Sequence, residues 1–268
     1  MTNPESGAAR ERGPLARREQ VRARVLTEGS ARLDDLAAYF DVSLMTIHRD
    51  VDALEAEGWL IKIRGGATAN PSALAEARVR DRMSAMSAQK AAITEVAAQL
   101  ITHGQTIFLD DSTTALGLVP HLVSHPPMTI ATNFLPVIPA VGDVAGVEIQ
   151  FLGGEYHIRQ EACFGRQTIE AIGRLSADIF FMSTTAVCDA MCLHRSEATV
   201  TVRQAYMAHA MRRVLLVDHA KFGRRAPHVL CDVAEFDTVV TDDGIDPEVL
   251  ADLRARCSDV RIAVVGNG

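Results

Sequence analysis

Apolar residues recur with a helical period through the first quarter of the chain. Val21 and Val25 stand one turn apart in a segment from about Leu15 to Glu28, and Gly29 follows where a left-handed residue would end a helix. Leu36, Ala37 and Phe40 form a second, shorter stripe ending near Asp41, with Asp34 and Asp35 in its first turn, where carboxylates complement the positive end of the dipole. Ser43 suits the N-cap of a third helix, in which Ile47, Val51 and Leu54 recur at i, i+4, i+7 and Met45, Thr46, His48, Arg49 and Asp52 occupy the other side. After Gly58 the period falls to two in Trp59-Leu60-Ile61-Lys62-Ile63, closed by the tight turn Arg64-Gly65-Gly66. Three helices and a β-wing over residues 15–70 predict a winged helix-turn-helix.

Asn70-Pro71-Ser72 punctuates the chain, and over residues 71–268 helical stretches alternate with short β-rich runs. A helix is expected from Ala85 to Ile101. Strands are expected at Thr106 to Leu109, Met128 to Thr132, Val147 to Leu152, Asp178 to Met182, Val214 to Asp218, Thr238 to Thr241 and Val260 to Val265. Helices between several of them argue a largely parallel sheet covered on both faces, a three-layer αβα domain. Met1 to Pro14 carries charge, Gly, Ala and Pro without an apolar period and is expected to be a mobile arm.

At 268 residues and 48% hydrophobic composition, two domains with sizeable cores fit. The net charge of −7 argues against attachment to nucleic acid or membrane by bulk charge, so an anionic partner must be met locally. Residues 1–68 hold 10 basic and 11 acidic side chains, but Arg10, Arg12, Arg17, Arg18, Arg22 and Arg24 crowd the amino end, a run whose plainest reading is a solvated helix face. No stretch approaches a membrane span and no apolar segment of a signal peptide is present, so a cytoplasmic chain is expected. Five scattered cysteines suit a reducing compartment.

The candidate chemistry falls in two places. On the third helix Ser43, Met45, Thr46, His48 and Arg49 can face a DNA major groove, with Lys62 and Arg64 of the wing meeting the flanking backbone. In the larger domain, ligands gather where parallel strands end, and the polar groups there are Asp110, Ser112, Thr113, Thr114, Asn133, Gly153, Gly154 and Lys221. A strand, a hydroxyl-rich loop and a helix start suit a phosphate, yet the loop lacks the P-loop pattern and no G-x-G-x-x-G follows a strand, so a small phosphoester fits better than a nucleotide, and no cofactor is expected. The plainer readings are that Asp110 and the threonines only cap a helix, that Gly153 and Gly154 only turn, that Asn133 bonds to nearby backbone and that Lys221 is an ordinary loop lysine. Cys188, Cys192 and His194 match no usual zinc spacing, so no metal is expected, and His219 beside Asp218 reads as a loop histidine.

The ordered run Val42-Ser43-Leu44-Met45-Thr46-Ile47-His48-Arg49-Asp50-Val51, then Leu54-Glu55, Gly58 and Arg64-Gly65-Gly66-Ala67, resembles the DNA-binding unit of the DeoR family of bacterial sugar-metabolism regulators. Phe108-Leu109-Asp110, Thr113-Thr114, Thr132-Asn133, Leu152-Gly153-Gly154, Phe164-Gly165, Ala177-Asp178, Val217-Asp218-His219-Ala220-Lys221-Phe222-Gly223 and Thr241-Asp242 resemble its sensor domain. That resemblance implies the three-layer fold also found in ribose-5-phosphate isomerase and a phosphorylated sugar or polyol as effector. Departures stand out. His48 replaces a second arginine and Arg32 a Ser or Thr cap. Asp111 and Ser112 fill the second and third places of the family's Asp-Ser-Gly-Thr-Thr, where an added carboxylate would repel an anion and a lost glycine would restrict backbone approach. Ser183-Thr184-Thr185 replaces a glycine-rich segment. The reading is a transcriptional repressor of a carbohydrate catabolism operon, acting on double-stranded operator DNA as a homodimer or homotetramer, with no membrane partner. The alternatives are a sugar-phosphate isomerase with a DNA-binding appendage, using Asp110, Asp111 or Glu155 as base, and a protein-binding scaffold.

Overall fold

A computed structural model describes residues 14–70 and 79–266. The expected arm lies outside these residues except for Pro14, which opens the first helix, a position where its fixed φ and missing N–H cost nothing. The chain divides into two compact units, Met1–Ala77 and Arg78–Gly268.

In the first unit α1 (Pro14–Glu28), α2 (Leu33–Phe40) and α3 (Leu44–Ala56) enclose Val21, Val25, Leu33, Leu36, Ile47, Val51 and Leu54, the positions selected by the 3.6 period. Gly29 has φ +77° and Asp41 closes α2 at φ +52°. Arg32 at the head of α2 makes no capping bond, which forgoes up to ~1 kcal/mol. The wing has three strands, ordered β1 (Ser30–Arg32), β3 (Gly66–Ala69), β2 (Leu60–Ile63). β1 was not anticipated. It explains Gly66, since a Cβ there would stand 2.7 Å from the Ala31 carbonyl oxygen.

The arginine run is an internal brace, contrary to the solvated face expected. Arg17 Nε meets Asp50 Oδ2 at 2.5 Å and Arg18 Nε meets Asp50 Oδ1 at 3.2 Å, so α1 grips a buried carboxylate of α3. The Arg22 and Arg24 guanidinium groups lie 4.2 Å from the ring centroids of Trp59 and Tyr39. Arg10 and Arg12 fall outside the described residues.

The second unit opens with α4 (Val79–Ser84) and α5 (Ser87–Ala98). The single helix expected from Ala85 is interrupted at Met86, which takes φ +53°. A seven-stranded sheet follows, built from β4 (Thr106–Leu109), β5 (Met128–Thr132), β6 (Val147–Phe151), β9 (Ala177–Met182), β12 (Ala210–Leu216), β14 (Thr238–Asp242) and β15 (Val260–Ala263). Every pairing in it is parallel. Ile107, Phe108 and Leu109 in β4 and Phe180, Phe181 and Met182 in β9 are all fully buried. Successive strand residues point to opposite faces, so this sheet is covered on both.

Its covering helices include α6 (Thr113–Leu116), α7 (Val119–Leu122), α8 (Val137–Val141), α9 (Arg166–Ile172), α10 (Glu197–Ala208) and α11 (Pro247–Arg256). Two small antiparallel additions escaped the sequence reading: the hairpin β7 (Glu155–His157) with β8 (Ala162–Phe164), and a sheet of β10 (Ala186–Cys188), β11 (Met191–His194) and β13 (His228–Asp232). The order β15-β14-β12-β9-β4-β5-β6 runs outward in both directions from the neighbours β4 and β9. A crevice must open at their carboxyl ends, because the chain leaves these two strands toward opposite sides.

Candidate functional site

On the first unit, Ser43 caps α3: its Oγ accepts from the Thr46 N–H at 3.2 Å and lies 2.8 Å from Thr46 Oγ1. With Ile47 fully buried, Met45 and Arg49 are exposed and Thr46 and His48 half-buried, so the predicted reading residues share the surface away from the core. Arg64 stands exposed at the wing turn, where Gly65 takes φ +74°. Arg49 and Arg64 enter no ion pair among the described residues. Lys62 differs. Its ammonium is paired with Asp52 of α3, whose hydrogen bond holds the lysine pKa above its ordinary value, and its backbone N–H donates to Glu55 Oε1 at 2.8 Å.

On the second unit, the β4–β9 crevice is polar and tightly bonded. Asp110, just past β4, accepts from the Ser112 and Ser183 N–H groups at 3.0 Å each. Arg203 of α10 is buried among them: Nη2 lies 3.0 Å from both Asp110 Oδ2 and Asp111 Oδ1, and Nη1 donates to the Ser183 carbonyl at 2.6 Å. Burial pushes the Asp110 carboxyl up, and the neighbouring Asp111 charge adds to it, against the pull of Arg203. For Asp111 burial is outweighed by Arg203, with Arg82 assisting, and its pKa lies below the ordinary value. Two carboxylates on one guanidinium nitrogen do not ionise equally, and the charge settles on Asp111. His194 is pushed down to about 3, by burial first and then by Arg203, so it is neutral near pH 7.

Ser183 joins three loops. Its N–H binds Asp110, its Oγ donates to the Leu216 carbonyl at 2.6 Å, and the same Oγ accepts from Lys221 Nζ at 2.8 Å. Lys221 also pairs with Asp218 Oδ2 at 3.2 Å. Burial would raise the Asp218 carboxyl, but Lys221 and Lys90 hold it low. Lys90 of α5 reaches the same place, donating to Thr113 Oγ1 at 3.1 Å and to the Arg82 carbonyl.

The predicted residues therefore divide. Asp110, Ser112, Thr113, Thr114 and Lys221 surround the crevice, whereas Asn133, Gly153 and Gly154 engage the hairpin side. Asn133 Nδ2 donates to the Cys163 carbonyl at 2.8 Å and its Oδ1 accepts from the Tyr206 hydroxyl at 3.2 Å. Thr168 Oγ1 donates to the Gly153 carbonyl at 2.9 Å. A Cβ on Gly154 would lie 2.1 Å from that same Oγ1, so close packing demands glycine there. Ser112 caps α6 by accepting from the Ala115 N–H at 3.0 Å. Being a single turn, α6 supplies little of the dipole expected for an anion. Sequence reasoning missed Lys90, Arg82, Ser183 and Arg203. Only Arg203 left a trace, as a charge among the apolar Val200, Val202, Tyr206 and Met207.

Among the described residues no group of three or more His, Cys, Asp or Glu is placed to hold a metal ion, and no helix is long and apolar enough to cross a membrane. Cys192 lies opposite Cys231 across β11 and β13, and Cys188 contacts Asp189 Oδ2 at 3.4 Å.

Comparison with known proteins decides the kinship. A model of the DeoR-like helix-turn-helix domain matches residues 17–73, and one of the DeoR C terminal sensor domain matches residues 85–243. The chain belongs to the DeoR family. The lactose phosphotransferase system repressor of Staphylococcus epidermidis (strain ATCC 12228) is 30% identical over 85% of this chain and 91% of its own length. The HTH-type transcriptional regulator YgbI of Escherichia coli K12, named as uncharacterized, is 29% identical over 87% and 91%. A ribose 5 phosphate isomerase A from Neisseria gonorrhoeae overlaps 51% of this chain and 53% of its own with a TM-score of 0.37 at 11% identity, too partial a likeness to bear on activity.

For a DeoR-family chain the two loop departures now have a physical account. Asp111 was expected to repel an anion, but its charge is neutralised by Arg203. Ser112 sits at φ −96°, ψ 143°, an extended conformation that needs no glycine.

Proposed function

We propose that the chain is a sequence-specific transcriptional repressor of a carbohydrate catabolism operon, with Met45, Thr46, His48 and Arg49 reading the operator and a phosphorylated sugar or polyol bound at the β4–β9 crevice. The observation that carries this reading is the convergence of Lys221, Lys90 and the Thr113 hydroxyl at a topological switch point, in a chain whose other unit presents an unpaired arginine on a capped recognition helix. The name of the staphylococcal relative, a repressor of a sugar-uptake system, supports it. Operation is by linkage: an effector that prefers one arrangement of the protein by about 1–3 kcal/mol changes operator affinity roughly 5- to 150-fold. One recognition helix covers too little duplex to be selective, which favours a homodimer or homotetramer on paired half-sites in the cytoplasm.

Footprinting on DNA upstream of the chain's own operon tests this. Arg49→Ala is expected to abolish protection while effector binding persists, and Lys221→Ala to keep protection but lose the response to effector. An isomerase would instead turn over pentose or hexose phosphates. Asp110 and Asp111, which that reading needs as a base, are both held on Arg203.

A further inference from the structure

Lys90 and Arg82 lie on α5 and α4, ahead of the first sheet strand and outside every strand-end loop. Their positions are nevertheless fixed at the crevice. The Thr113 hydroxyl donates to the Arg82 carbonyl at 3.2 Å and accepts from Lys90 Nζ at 3.1 Å. Arg82 Nη1 reaches the Asp111 carbonyl at 3.5 Å. Its Nη2 is buried without an acceptor among the described residues, and so is Arg203 Nε. Buried guanidinium N–H groups left unpaired are costly, and an anion in the crevice would satisfy them.

The charges around Lys90 point the same way. Lys221 and Asp218 face it from the loop after β12 and Arg82 from α4, while Arg203, Asp110 and Asp111 lie beyond Arg82. Four cations thus meet the carboxylates of Asp111 and Asp218 and an Asp110 that burial inclines to keep its proton. The excess is positive and falls on the least compensated ammonium. Burial, followed by Lys221 and Arg82, pushes the Lys90 pKa down to about 7.

We propose that Lys90, with Arg82, completes the phosphate-binding part of the effector site and selects the doubly charged form of a phosphate monoester, taking up a proton from solvent as the ligand enters. The inference rests on the sugar-phosphate reading above and adds the recognising residues and the ionic form. A dianion close to Nζ favours the ammonium over the amine, so binding and protonation assist each other. A phosphate diester or a carboxylate brings one charge and compensates less of the excess.

Isothermal titration of the full chain tests it, with ribose 5-phosphate, inorganic phosphate and dimethyl phosphate as probes, at pH 7.5 in two buffers of different ionisation enthalpy. Proton uptake is read as the difference between wild type and Lys90→Arg, which cancels protons exchanged by the probe itself. Expected are at least tenfold weaker binding of dimethyl phosphate, net uptake by wild type that Lys90→Arg lacks while keeping affinity within about threefold, and at least tenfold weaker ribose 5-phosphate binding by Lys90→Met. Melting of both variants checks that they fold. Wild-type affinity in Lys90→Met, or equal proton uptake in Lys90→Arg, overturns this inference and leaves the sugar-phosphate reading standing. Absence of binding by wild type to either dianionic probe overturns both.

Discussion

Replacing Arg203 by Met strips two buried carboxylates of their shared counter-charge. Arg203, Asp110 and Asp111 are 2%, 1% and 3% exposed, so water cannot take over the lost contacts. Removing one partner of a buried ion pair costs about 3–5 kcal/mol. In a unit of this size ~1 kcal/mol moves the melting temperature by about 2–4 °C, so a fall of roughly 6–20 °C is expected at pH 7.5. The pH dependence has a definite sign. In the native protein Asp111 is held low, so its contribution is present above the ordinary carboxylate range and disappears as pH falls through its depressed value; Asp110, held high, opposes folding once the unfolded group ionises. Without Arg203 both carboxyls are raised, and the deficit is largest near pH 7.5 and shrinks toward pH 5. Differential scanning calorimetry of the whole chain across that range is the assay. Adding Asp111→Asn should recover part of the loss. A variant melting within about 2 °C of wild type at pH 7.5, or a deficit that does not shrink on acidification, refutes the account of the network.

Two further outcomes follow from contacts elsewhere. Asp52→Asn releases Lys62 and removes a carboxylate from the surface next to the wing, so anisotropy titrations with operator duplex should give tighter binding at low salt and a log K against log salt slope steeper by about 1; an unchanged slope excludes Lys62 as a backbone contact. Gly154→Ala places a Cβ 2.1 Å from Thr168 Oγ1 and 2.5 Å from the Phe164 carbonyl oxygen, which should cost about 1–3 kcal/mol in denaturant unfolding, whereas Gly153→Ala meets nothing within 4 Å and serves as the near-neutral control.

What could be read in advance was what repeats. Val21, Val25, Ile47, Val51 and Leu54 fixed the winged helix because each helix buries one face, and the runs at Ile107 to Leu109 and Phe180 to Met182 are continuous because their strands are buried on both. Elements of three to five residues, such as β1, β7, β8, β10 and β11, are too short to show a period and depend on partners distant in sequence. The break at Met86 escaped because no glycine or proline marks it. The candidate site was legible where a loop follows a strand, as at Asp110 to Thr114 and at Lys221. Lys90 and Arg203 were not, since each sits inside a helix and is brought in by tertiary packing. Asn133 and Gly154 fall at strand ends as expected, yet their contacts are with Cys163, Tyr206, Thr168 and Phe164.

The Asp111–Arg203 contact joins positions 92 residues apart and ties a turn to a helix on a different crossover. Each other loop of the crevice hangs on its own strand and can be exchanged by descent one substitution at a time. These two positions have no such freedom: a lineage that neutralises either must pass through a weakened intermediate or change both, so the pair should be inherited as a unit and mark a subgroup of chains that share it.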